Sequence, residues 1–124
     1  MMDIRQVNVL VLAYLGDTIY EDYIREYLIK LGINNVNELQ KRSVDYVSAK
    51  AQAAILTRLI NENEFNDEEM DIIKRARNNR SKSHPKSCDI ITYKYATAFE
   101  ALIGYLKLQN NNERIDEIIN KILY

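Results

Sequence analysis

An all-α fold in a single domain, residues 1–124, with about five main helices, is what this sequence predicts. Three glycines, one proline and no tryptophan, set among abundant Leu, Ile, Ala, Glu, Lys and Asn, favour helices joined by short polar loops. Apolar residues recur at helical spacing in successive stretches, each bounded by a capping or breaking residue. The length suits one core and leaves no room for an appended second domain.

The first helix is predicted from Val7 to Leu31, with Leu12, Ile19, Tyr23 and Tyr27 along one line and Leu15, Ile24, Leu28 and Leu31 along another. Gly32 ends it. From Val9 to Leu15 every position is apolar apart from a tyrosine hydroxyl, so this helix is expected to be central and buried nearly all round. Tyr14, Tyr20, Tyr23 and Tyr27 point to a second subunit covering part of it, hence a homodimer. A second helical region, capped by Asn35 or Asn37, reaches about Ile60, with Leu39, Val44, Val47, Ala51, Ala54, Ile55 and Leu59 inward and room for a break near Asp45.

Asn66 with Asp67, Glu68 and Glu69 gives a cap and an acidic first turn to a helix running through Met70, Ile72, Ile73 and Ala76 toward Asn79. Asn78 to Ser87 reads as a mobile loop. A fourth helix begins near Asp89 and continues to about Leu108, with Ile91, Tyr95, Phe99, Leu102, Ile103 and Leu106 inward, and a fifth follows Asn111 or Asn112.

The single cysteine, Cys88, has no partner for an internal disulfide, and with His84 as the only histidine no zinc site of ordinary type can form. His84 reads as a loop residue and Cys88 as inert. No basic region followed by an apolar stretch and a cleavage site opens the chain, and no apolar run approaches membrane-spanning length, so a soluble cytoplasmic protein is expected. The net charge of −1 hides a polarised molecule. Lys74, Arg75, Arg77, Arg80, Lys82 and Lys86 fall in one segment without an acid, leaving eleven basic residues elsewhere against all 18 acidic ones. Such concentration fits either a solvated helix end and loop or a surface for a phosphate backbone.

Two acids stand in apolar surroundings: Asp17 in Leu-Gly-Asp-Thr-Ile and Glu100 in Ala-Phe-Glu-Ala-Leu-Ile. A buried carboxylate needs compensation, either from a basic partner of its own or from a divalent cation shared between the two helices. Carboxylate oxygens suit Mg2+ or Mn2+. Gly16 beside Asp17, and Gly104 one turn beyond Glu100, would let the helices approach closely.

The string Leu12-Ala13-Tyr14-Leu15-Gly16-Asp17-Thr18-Ile19-Tyr20-Glu21 resembles the signature helix of ribonuclease III domains. Thr97-Ala98-Phe99-Glu100-Ala101-Leu102-Ile103-Gly104-Tyr105 resembles their second metal-binding helix. Within that superfamily the chain is most similar to the Mini-ribonuclease III group, through its length, Val47-Ser48-Ala49-Lys50-Ala51-Gln52 and Lys74-Arg75-Ala76-Arg77-Asn78. The resemblance covers nearly the whole chain. It implies an all-helical homodimer that cleaves double-stranded RNA with magnesium to 5′-phosphate and 3′-hydroxyl ends, acting on a stem in a precursor of large-subunit ribosomal RNA.

It also implies that Asp17 and Glu100 are the catalytic metal ligands. Two further acids of the full-length enzymes are replaced by Ala13 and Thr97, as in the Mini-ribonuclease III pattern. Glu21 reads as an ordinary surface or interface acid, with an alternative role through a water, and Glu38 lies near a further acidic position of the larger enzymes. Lys74, Arg75, Arg77, Arg80, Lys82 and Lys86 are the expected RNA contacts, read by duplex shape. Lys50 and Lys94 either join them near the scissile phosphate or are simply solvated. Two rival readings remain at this point: a catalytically silent RNA-binding dimer, and a helical protein-interaction domain.

Overall fold

The computed structural model describes residues 2–80, 86 and 88–124. A 3-10 turn, Ile4–Gln6, leads into α1 (Val9–Lys30), α2 (Val36–Val47), α3 (Ala49–Asn61), α4 (Asp67–Arg77), α5 (Ile90–Leu108) and α6 (Asn112–Leu123). No strand occurs among the described residues.

The helix boundaries follow local chemistry. The side chains of Asn8, Asn35, Ser48, Asn66, Asp89 and Asn111 each accept a hydrogen bond from a backbone N–H in the first turn that follows. At α4 this becomes a full capping box, Asn66 and Glu69 bonding reciprocally. Beyond α1 the chain turns through Gly32 at φ 99°, with Gly32 N–H donating to the Ile29 carbonyl and Ile33 N–H to the Leu28 carbonyl. Asn63 and Asn110 close α3 and α5 the same way at φ 56° and 58°.

The predicted second region is two helices, so the expected five become six. The break falls at Ser48 rather than Asp45, because Ser48 both ends α2 and caps α3 with its side chain. Its inner face also differs from expectation: α2 buries no residue, Val44 and Ala54 face outward, and Gln52, Leu56 and Leu59 are the buried positions of α3.

The central element is α5, not α1. It packs against α1, α3, α4 and α6, and from Ala96 to Leu106 every residue except Glu100 is buried. Its first turn lies outside the core, where Ile91 is 66% exposed. One side of α1 is likewise open, with Leu10, Val11 and Tyr14 exposed, which corrects the expectation of burial all round. Three of the four tyrosines assigned to a subunit contact are instead used within the chain. Tyr20 is fully buried, meets Phe99 edge-on at 4.8 Å and donates its hydroxyl proton to the Tyr46 carbonyl. Tyr23 bonds Asp116, and Tyr27 packs edge-on against Tyr46 and Tyr124.

Around this pair the outer helices are anchored by polar contacts. Glu69, 2% exposed, receives two hydrogen bonds from Arg114, which also reaches the Glu64 carbonyl, so α6 is fastened to the start of α4. The tightest packing is between α1 and α5. A Cβ on Gly16 would stand 1.8 Å from the Glu100 carbonyl oxygen, and one on Gly104 would stand 1.9 Å from that of Leu12. Both obstacles are backbone and cannot swing aside. Gly104→Ala is therefore expected to destabilise the fold by about 3 kcal/mol, at the upper end of overpacking costs. Urea denaturation checks this, and an unchanged midpoint would contradict the packing described.

Candidate metal centre

The crossing of α1 and α5 sets the positions of both acids. Asp17 follows Gly16 on the open side of α1, and Glu100 stands one turn before Gly104 on α5. Their carboxyl groups come close enough that Asp17 acts electrostatically on Glu100, although they come from distant parts of the chain. Among the described residues neither forms an ion pair with a lysine or arginine. Of the two compensations open to these acids, a private basic partner is thus not what the structure supplies. Asp17 is exposed and Glu100 half-buried, so burial, expected for both, holds for one only, and the pair opens to solvent at one edge.

Burial, first, and then the contact with Asp17 push the Glu100 carboxyl up to about 8, with Glu21 adding repulsion. A hydrogen bond from Gln52 acts in the opposite sense. Its Nε2 donates to the Val47 carbonyl at 3.1 Å and to Glu100 Oε2 at 3.5 Å, while Gln52 Oε1 is buried with no partner. Gln52 was not singled out from the sequence as a site residue. The signal lay in Val47-Ser48-Ala49-Lys50-Ala51-Gln52, which carries it to within reach of Glu100.

The other expected site residues divide. Glu21 is half-buried and pairs with Arg25 at 3.5 Å, the ordinary i, i+4 arrangement, while contributing to the negative field at Glu100. Glu38 is exposed in the first turn of α2. Ala13 and Thr97, at the positions of the missing acids, are both buried. No group of three or more His, Cys, Asp or Glu side chains stands together among the described residues.

Lys50 is exposed, Lys94 half-buried, and neither is ion-paired with the acids. Lys50 lines a groove of about 690 Å³ between α3 and α5 that also includes Tyr95. The Arg77 guanidinium sits over the Tyr95 ring at 5.9 Å from its centre, bringing the basic end of α4 to the same side. Lys74 and Arg80 are exposed, Arg75 half-buried, and Lys86 exposed. Lys82 and His84 lie outside the described residues, as does most of the expected loop.

Comparison with known proteins agrees with this architecture. The ribonuclease III domain pattern matches residues 10–111, from the first turn of α1 to the start of α6. The chain belongs to the ribonuclease III family. That family acts on double-stranded RNA as nucleases, and members are generally dependent on divalent metals. Within it, the chain is 46% identical over 120 residues to Mini-ribonuclease 3 of Enterococcus faecalis, covering 97% of this chain and 91% of that protein. It is 49% identical over 114 residues to Mini-ribonuclease 3 of Brevibacillus brevis, covering 92% and 84%. An X-ray crystal structure of a Fusobacterium nucleatum protein, 41% identical, superposes with a TM-score of 0.88 over 99% of this chain and 98% of that one.

The tightened hold of Glu100 on its proton has a thermodynamic consequence for the folded chain. Its folded value lies above the ordinary glutamate value of 4.5, so the folded state holds the proton more tightly than the unfolded state. Its contribution is complete below pH 4.5 and is lost as pH rises through about 8. In chelator, the melting temperature should therefore fall between pH 5 and 8 more steeply for the wild type than for Glu100→Gln. Parallel profiles would show that Glu100 has no such hold on its proton.

Proposed function

We propose that this chain is a divalent-metal-dependent endoribonuclease that hydrolyses double-stranded RNA to 5′-phosphate and 3′-hydroxyl ends, with Asp17 and Glu100 as its metal-holding, catalytic carboxylates. The observation that carries this reading is the approach of two carboxyls on different helices, neither ion-paired with a basic side chain among the described residues. A hard divalent cation fits that donor set: two carboxylates, an adjacent amide and an edge open to substrate. When bound, Mg2+, or Mn2+ in its place, supplies a Lewis acid that polarises a phosphoryl oxygen and acidifies a water.

The protein's own part is to hold charge and position. Glu100, whose proton is held more tightly by burial and by Asp17, would release it to water on serving as a ligand. Asp17, on the exposed side of α1, stands where a phosphate backbone can arrive from solvent. Lys74, Arg75, Arg77, Arg80, Lys82 and Lys86, with Lys50 and Lys94, supply positive charge for the duplex backbone. An A-form helix offers phosphates and 2′-hydroxyls rather than base edges, so this surface reads shape. The resemblance to the Mini-ribonuclease III group supports a stem in a precursor of large-subunit ribosomal RNA as substrate, and the cytoplasm as the place of action.

The working unit is a homodimer. Leu10, Val11 and Tyr14, 41%, 55% and 82% exposed, form an apolar strip on α1 that runs toward Asp17. Covering this strip with a second copy removes it from water and sets the acids at the edge of the junction. Val11→Asp should shift the protein from dimer to monomer in light scattering, and a dimer of unchanged stability would place the junction elsewhere.

Asp17→Asn tests the centre directly. On a labelled RNA hairpin the wild type should cut with Mg2+ and stop on addition of chelator, while Asp17→Asn should lose at least 100-fold in rate, roughly 3 kcal/mol of barrier, yet still bind the hairpin. Cleavage at the wild-type rate would remove Asp17 from the chemistry.

A further inference from the structure

We propose, resting on the cation site just described, that Gln52 is a positioning residue that holds the Glu100 carboxyl against Asp17. Three observations carry this. Gln52 is 2% exposed, deep for a side chain whose amide ordinarily seeks water. It shares the inner face of α3 with Leu56 and Leu59, both fully buried, so an apolar side chain of similar shape suits its surroundings. Yet the amide is retained although its Oε1 has no hydrogen-bond partner, an arrangement that stability alone disfavours.

The orientation of the amide is set by what surrounds it. Two acceptors, the Val47 carbonyl and Glu100 Oε2, stand within reach of one end, so that end is the NH2 group with its two donors. The bond to Val47, at 3.1 Å, ties the amide to the last residue of α2. The contact with Glu100, at 3.5 Å, is at the long limit of a hydrogen bond and serves to steer rather than to bind tightly. The Gln52 backbone is itself fixed in the first turn of α3, where its N–H donates to the Ser48 carbonyl at 2.9 Å. Gln52 therefore links a rigid helix start to the carboxyl of Glu100, the one residue from Ala96 to Leu106 that is not buried.

The test compares wild type, Gln52→Met, Gln52→Asn and Asp17→Asn as full chains. Mn2+ affinity is measured by electron paramagnetic resonance without RNA, beside melting temperature and hairpin cleavage across Mg2+ concentrations. Gln52→Met keeps the shape and removes the donors. It should melt at or above the wild-type temperature, bind Mn2+ roughly 10- to 100-fold more weakly, the usual range for a partner of a metal ligand, and need more Mg2+ for half-maximal cleavage. Gln52→Asn keeps the amide but withdraws it by about one bond length, 1.5 Å. It should also weaken Mn2+ binding, which keeps the question answerable if the methionine variant does not fold.

If Asp17→Asn loses Mn2+ while both Gln52 variants bind it as the wild type does, the cation site stands and the role given to Gln52 is overturned. A lowered melting temperature with unchanged Mn2+ affinity would make Gln52 a packing residue only, and overturn it as well. If Asp17→Asn itself binds Mn2+ normally, the cation site is misplaced and the role of Gln52 falls with it.

Discussion

The close passage of α1 over α5 is the constraint on which the rest of the molecule depends. Helices with ordinary side chains pack with axes some 8–10 Å apart, and closer approach requires that the side chain at the crossing be absent. Gly16 and Gly104 provide that absence on opposing helices, each facing the other's main chain. The obstacle that a Cβ on Gly16 would meet is the carbonyl of Glu100 itself. The crossing that closes the core therefore also brings together the helix segments that carry the two acids.

Such a pair is a cost to the folded chain. Half-buried and beside Asp17, the Glu100 carboxyl is held above its ordinary value and keeps its proton more tightly. The nearby ion pairs do not relieve it. Arg114 is committed to Glu69, Arg25 to Glu21 and Lys121 to Glu64. Among the described residues no lysine or arginine forms an ion pair with either acid. An arrangement of this kind reserves the acids for a charge that comes from outside, which is why their local disadvantage supports a catalytic rather than a structural reading.

Much of the fold was legible in the sequence, because helix limits here are decided by residues within one turn of the boundary. Asn35, Asn66, Asp89 and Asn111 act through their own side chains on the next turn, and Gly32 through a backbone angle that other residues resist. Asp17 and Glu100 were legible for a similar reason, as charges out of place in apolar stretches. What could not be read was which apolar face meets which neighbour. Leu10, Val11, Tyr14 and Ile91 have the spacing of core residues but lie outside the single chain's core, whereas Tyr20, Tyr23 and Tyr27 find partners within it. Periodicity records that a face is apolar, not what covers it. Gln52 escaped for the complementary reason: a polar residue on a helix looks solvated until the helix is packed.

The distribution of charge completes the connection between fold and chemistry. The acids occupy the crossing of the central helices, while the basic residues gather at the end of α4 and along the groove that Lys50 and Tyr95 share. A duplex drawn in by the basic surface meets a centre of its own sign, which alone would repel the phosphate it must hold. The proposed divalent cation would resolve that conflict, being attracted by both. On the proposed reading, the uncharged Ala13 and Thr97, both buried, add no negative charge to the centre that RNA would approach. With two carboxylates rather than four, such a centre would hold a cation weakly before substrate arrives and draw the rest of its coordination from phosphate and water.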